Sequence, residues 1–118
     1  MIYALLRYGI EDVAAQGEDR KSAISRPDGV TGVDIDRNEI RLIADLLPTT
    51  TAVTVRGIGN FHVIDGPFAS MKEELLGFHI IEVPSLEDAI ATAQKVSEGR
   101  LGSTACEIRP VVYLRGAL

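Results

Sequence analysis

Residues 65–68 read Asp65-Gly66-Pro67-Phe68, and this tetrapeptide constrains the path of the chain more tightly than any other stretch. Gly66 can take backbone angles closed to other residues, while Pro67 fixes its own φ and pushes Gly66 out of the helical region. A strand that enters this turn ends there. The residues before it supply that strand and its partner. Thr51 to Arg56 is β-branched, with Val53 and Val55 on one face and Thr54 and Arg56 on the other. Gly57-Ile58-Gly59-Asn60 turns the chain, and Phe61 to Ile64 returns it to Asp65. The carboxylate at the mouth of this turn has two readings. It is a stiffly placed catalytic or ligand-orienting group, or it caps its own following backbone in an Asx-type turn.

The rest of the chain is built around that hairpin. Ile2 to Tyr8 is β-rich and apolar on both faces, the pattern of a buried central strand, and Gly9 ends it. Ile10 to Ser25 carries a weak helical pattern through Val13, Ala14, Ala15 and Ile24, and Pro27-Asp28-Gly29 with Gly32 marks a loop. Ile40, Ile43, Leu46 and Leu47 recur at helical spacing, so the local pattern over 38–47 favours a helix. Phe68 to Leu76 allows a short helical turn, and Gly77 to Val83 reads as a strand. The clearest helix runs from Leu86 to Ser97: Ser85 is its N-cap, Asp88 completes a capping box, and Gly99 stops it. Its apolar stripe is Leu86, Ala89, Ile90, Ala93 and Val96. Thr104 to Leu114 is a last strand, and Pro110 places it at an edge or makes it leave the sheet. Strands dominate, so the class is α+β with a mostly antiparallel sheet covered by helix on one face. The other face then needs a partner, and dimerisation supplies one.

Composition narrows the function. A chain of 118 residues makes one domain, 1–118, with a core that needs no disulfide or metal. The net charge of −5 argues against a nucleic-acid backbone as partner. Cys106 stands alone in an apolar run, as a small buried hydrophobe, and no Cys/His cluster offers a zinc site. Asp34-Ile35-Asp36-Arg37-Asn38 with Asp45 at the twelfth place imitates a calcium loop, but Glu39 stands at the sixth place, where the sharp turn requires glycine. No metal and no cofactor are expected. Arg7 breaks the opening apolar run, and no stretch approaches the ~20 apolar residues of a membrane span, so the expectation is a cytoplasmic protein with no membrane partner.

Taken together, Asp65-Gly66-Pro67-Phe68-Ala69, Lys72-Glu73 and Gly77-Phe78 closely resemble the DGPF signature of YCII-related proteins. Leu47-Pro48, Thr54-Val55-Arg56, Leu86-Glu87-Asp88-Ala89, Glu107-Ile108-Arg109-Pro110-Val111 and Tyr8-Gly9 extend the similarity over residues 1–9 and 47–113. The resemblance implies a ferredoxin-like βαββαβ unit with an inserted hairpin, pairing into a dimeric α/β barrel. It also implies a strand at 39–45, against the local helical pattern. Residues 10–36 depart most from the family, being shorter and richer in Gly and Pro than its first helix.

The same resemblance implies a homodimer that binds a small organic ligand; some branches of the superfamily are enzymes, and the YCII-related branch implies a His–Asp pair as an acid/base couple. Only the Asp of that pair has a counterpart here, Asp65. His62 and His79 fall where the family has an apolar or aromatic residue. His79 faces opposite to Phe78 and Ile80 on its strand, and its plain reading is a half-exposed residue with a backbone partner. Lys72 either folds back to pair with Asp65 or braces the turn; with Arg56 or Arg109 it can hold a substrate carboxylate. The candidate site is therefore Asp65 as the catalytic carboxylate, with Tyr8, Arg56, Phe68, Lys72, Arg109 and His79 as ligand-binding residues. Two functions follow, an acid/base enzyme or a non-catalytic binding or regulatory module that accompanies transcription regulators.

Overall fold

The computed structural model describes residues 1–11, 39–100 and 102–116. Six strands, one 3-10 turn and one helix of several turns make up the described regular structure. They are β1 (Ile2–Gly9), β2 (Ile40–Asp45), a 3-10 turn (Thr49–Thr51), β3 (Val53–Arg56), β4 (His62–Asp65), β5 (Glu74–Glu82), α1 (Leu86–Glu98) and β6 (Ser103–Pro110). The main sheet has the order β2-β5-β1-β6 and every pairing is antiparallel. This is the strand order of a ferredoxin-like unit, with β3 and β4 inserted as a separate two-stranded ribbon. The expected helix over Ile10–Ser25, the loop at Pro27-Asp28-Gly29 and the acidic cluster Asp34 to Asn38 lie outside the described residues.

The sheet's two faces follow from the period-2 alternation of strands. On β1, Tyr3, Leu5 and Arg7 are buried, and their cross-strand partners on β5 are Ile81, His79 and Gly77. On β6 the same positions are held by Ile108 opposite Leu5 and Cys106 opposite Arg7. Helix α1 covers this face, where Tyr3, Leu5, Ile81, Val83, Ala89, Ala93 and Val96 form the core. The small side chains of Ala89 and Ala93 let the helix backbone sit close to the strands. Leu86 and Ile90, expected in the apolar stripe, are exposed, and Thr92 is buried in their stead because its Oγ1 donates to the Asp88 carbonyl at 2.9 Å. The N-cap is as expected: Asp88 N donates to Ser85 Oγ, and that hydroxyl donates to the Asp88 carboxylate at 2.8 Å.

Three local readings are revised. Residues 40–45 form β2, the strand expected at 39–45 from the family resemblance and not the helix of their local spacing, because pairing with β5 buries Ile40 against the core and outweighs a helical spacing that would have left an unsatisfied sheet edge on β5. Phe68 to Leu76 forms no helical turn; the chain bends through 68–73, and Glu74, Leu75 and Leu76 extend β5 to pair with the end of β1. Finally, β6 stops at Pro110 instead of continuing to Leu114, as an edge strand with a proline at its end.

Candidate functional site

The signature turn sits at the end of the ribbon. Val53 pairs with Asp65, Thr54 with Ile64, Val55 with Val63 and Arg56 with His62. Directly opposed residues share a face, so Val53, Val55, Val63 and Asp65 lie on one side and Thr54, Arg56, His62 and Ile64 on the other. Both sides are open: β4 is exposed throughout, and Val63 is 72% exposed. The turn is closed without help from the Asp65 carboxylate. Gly66 N donates to the Ala52 carbonyl at 2.7 Å, and Thr54 Oγ1 donates to the Gly66 carbonyl at 2.8 Å. Gly66 has φ 105, the left-handed region that only glycine enters cheaply. Among the described residues the Asp65 carboxylate accepts no hydrogen bond, so it does not act as the Asx cap of its own turn and stands free at the end of an apolar strip.

The other sequence candidates fall into separate places. Arg56 lies 4.9 Å over the Phe68 ring, a cation–π contact on the ribbon. Lys72 is exposed and forms no ion pair with Asp65. Tyr8 and Arg109 both face away from α1, on the sheet's second face with Ala4, Leu6, Phe78 and Ile80. His62 and Asp65 point to opposite sides of the ribbon. His79 lies on the helix-covered face and is fully buried, not half exposed as its strand position suggested. Neither of its ring nitrogens has a hydrogen-bond partner, so the expected backbone partner is also missing. Neither histidine forms a couple with Asp65.

Beside His79 the structure gathers a polar cluster that sequence reasoning missed. Arg7, 2% exposed, extends from β1 and donates through Nη2 to Asp45 Oδ1 at the end of β2. Arg100, just beyond α1, donates through Nη1 to both oxygens of the same carboxylate, at 2.8 and 2.9 Å. Gly77 makes the Arg7 contact possible. A Cβ built there would lie 2.3 Å from Arg7 Nη2 and 2.4 Å from the Ala44 carbonyl oxygen, so a bare glycine on β5 is the notch through which the guanidinium crosses. The Gly77 of the Gly77-Phe78 motif thus has a steric role.

The charges in this cluster are unequal. Burial pushes the Asp45 carboxyl up, but hydrogen bonds and charges from Arg100 and Arg7 outweigh it and hold the group below its ordinary value. Burial and then the Arg100 charge lower Arg7, with Asp45 opposing them, and the guanidinium remains charged. His79 is held down to about 3, first by burial and then by the Arg7 and Arg100 charges, so its imidazole is neutral near pH 7. Cys106, on β6 opposite Arg7, is half-buried and its thiol is raised by burial, which keeps it protonated and unreactive. The signal available in advance was Arg7 itself, a lone cation inside a strand otherwise apolar on both faces.

No group of three or more His, Cys, Asp or Glu side chains suited to a metal occurs among the described residues. No described helix is long and apolar enough to cross a membrane.

Comparison with known proteins agrees with the geometry. A family model, the YCII-related domain, matches residues 1–112. An uncharacterised protein of Rhizobium meliloti (strain 1021) is 35% identical over 122 residues, covering 100% of this chain and 98% of the relative.

Proposed function

The chain belongs to the YCII-related family, and from that premise we propose that it works as a homodimer that binds a small organic molecule between the two copies. The observation that carries this reading is a pair of apolar surfaces that α1 leaves uncovered among the described residues. Helix α1 covers one face of the sheet, while Leu42, Ala44, Ala4, Leu6 and Phe78 lie on the second face with Tyr8 and Arg109, beside a buried Ile80. The ribbon offers a second apolar strip through Val53, Val55 and Val63. An isolated two-stranded ribbon is marginal in water, so contact with another surface is what makes this one persist. Closure of two such chains around the open faces produces a cleft with Tyr8 and Arg109 in its wall, and places Asp65 where the valine strip meets the second copy.

Acid/base chemistry at Asp65 is the second reading, favoured by a carboxylate that is free of its own turn. The described chain pairs it with no other ionisable group, so a proton-transfer couple there requires a group from the second copy or the ligand. Light scattering during gel filtration tests the dimer. Wild type elutes at twice the chain mass, and Val63→Lys, at an exposed position, elutes as a folded monomer. A monomeric wild type at micromolar concentration overturns the reading. A 13C titration of Asp65 in the dimer tests the chemistry, and a midpoint indistinguishable from a solvated carboxylate removes the acid/base version.

A further inference from the structure

The cluster of Arg7, Asp45, Arg100 and His79 lies on the helix-covered face, opposite the surface proposed for the organic ligand, and its hydrogen bonding is incomplete. Two guanidinium groups share one carboxylate, so with His79 neutral the buried group carries a formal excess of one positive charge. Arg7 Nε, Arg100 Nε and Nη2, both His79 ring nitrogens and Ser103 Oγ are all buried without a hydrogen-bond partner. Nearly all of these atoms are donors: three belong to guanidinium groups, one imidazole nitrogen carries a proton, and the hydroxyl can turn to donate. Folded proteins rarely leave such groups unmet, since each buried unsatisfied donor costs about 1–3 kcal/mol and charged ones more.

The geometry of the arginines says what is missing. Arg100 spends Nη1 on Asp45 and keeps its Nε–Nη2 edge free, and that edge is the fork that matches two oxygens of one group. Arg7 spends Nη2 on Asp45 and keeps Nε. Water would accept hydrogen bonds but would leave the excess charge unbalanced. An anion with several lone pairs meets both needs.

We propose that this cluster is a binding site for a small oxyanion, a carboxylate or phosphate group, held by the free Arg100 fork, Arg7 Nε and a His79 N–H. Asp45 then acts as the positioning residue, holding both guanidinium groups by their other nitrogens and leaving Arg7 Nε and the Arg100 Nε–Nη2 edge unpaired. Gly77 supplies the passage that lets Arg7 reach this arrangement.

The test uses the full chain, with arginine Nε–H and imidazole 15N resonances followed as inorganic phosphate or, separately, acetate replaces chloride at constant ionic strength. The expected result is saturable movement of Arg7, Arg100 and His79 signals with one of the two anions, the preferred one identifying the group recognised. Arg100→Gln weakens that binding at least tenfold, while Arg41→Gln, which removes only the exposed pair with Glu82, leaves it unchanged. Absence of saturable movement at millimolar anion overturns the proposal, as does binding that survives in Arg100→Gln. Should that variant not fold, the wild-type titration decides alone.

Discussion

Replacing Gly77 with alanine puts the tightest demand on this structure. The new methyl would meet the Ala44 carbonyl oxygen at 2.4 Å and Arg7 Nη2 at 2.3 Å, with Asp45 Cα at 3.2 Å. The arginine end can move, but the Ala44 oxygen is backbone of β2, so relief comes only by shifting that strand by about 1 Å or by expelling the guanidinium. Overpacking alone costs about 1–3 kcal/mol. Expelling Arg7 leaves Asp45 with a single partner, and breaking a buried pair costs about 3–5 kcal/mol when it is complete. Arg100 retains part of that interaction, so the expected loss is about 2–4 kcal/mol. At roughly 2.1 cal/mol/K per residue, the unfolding entropy of 118 residues is about 0.25 kcal/mol/K, and a loss of ~3 kcal/mol lowers Tm by about 12 °C. Urea unfolding followed by far-UV circular dichroism, at one fixed protein concentration, measures it. Gly66→Ala is the comparison, because its Cβ would meet nothing within 4 Å and its cost comes only from φ 105. A Gly77→Ala protein within about 0.5 kcal/mol of wild type, the range of an ordinary surface change, would refute the notch.

Two further outcomes concern charge. Asp45→Asn, which leaves two buried guanidinium groups sharing a neutral amide, lowers stability at pH 7 by about 3–5 kcal/mol in denaturant titrations. Because the folded carboxyl lies below its ordinary value of 3.8, its contribution is complete above that value and disappears as pH falls through the lower folded value. The gap between wild type and Asp45→Asn therefore narrows below pH ~4. His79 behaves in the same sense. Its folded value of about 3 lies below the ordinary 6.5, so the unfolded chain binds the extra proton between them, and stability is full above 6.5 and falls as pH drops toward 3. His79→Leu, read in anion-free buffer by Tm against pH, flattens the slope between those two values; an unchanged slope assigns it to other groups.

Much of the architecture was legible because its causes are local. The cap at Ser85 and Asp88, the alternation of Val53 to Arg56, and the angles imposed by Gly66 and Pro67 each depend on neighbours within a few residues. Residues 40–45 were legible as a strand only through the family resemblance, not through their local pattern. Their side-chain spacing suits a helix, and only the open edge of β5 makes a strand of them. Leu86 and Ile90 looked like core for the same reason that Thr92 did not, since helical spacing cannot say how far a helix rolls on its sheet.

The candidate site divides along the same line. The sequence alone determined the signature turn, the hairpin that leads into it and, through its motifs, the family. It also held every residue of the buried cluster without linking them. Asp45 read as a failed calcium ligand and Arg7 as an interruption. Arg7 lies 38 residues from Asp45 along the chain, and Asp45 lies 55 from Arg100. Contacts at such separations leave no periodic trace in a sequence. They exist because β1, β5 and β2 align Arg7, Gly77 and Asp45 in one row across the sheet and the end of α1 delivers Arg100 to it, so only the tertiary structure decided which charges share a buried space.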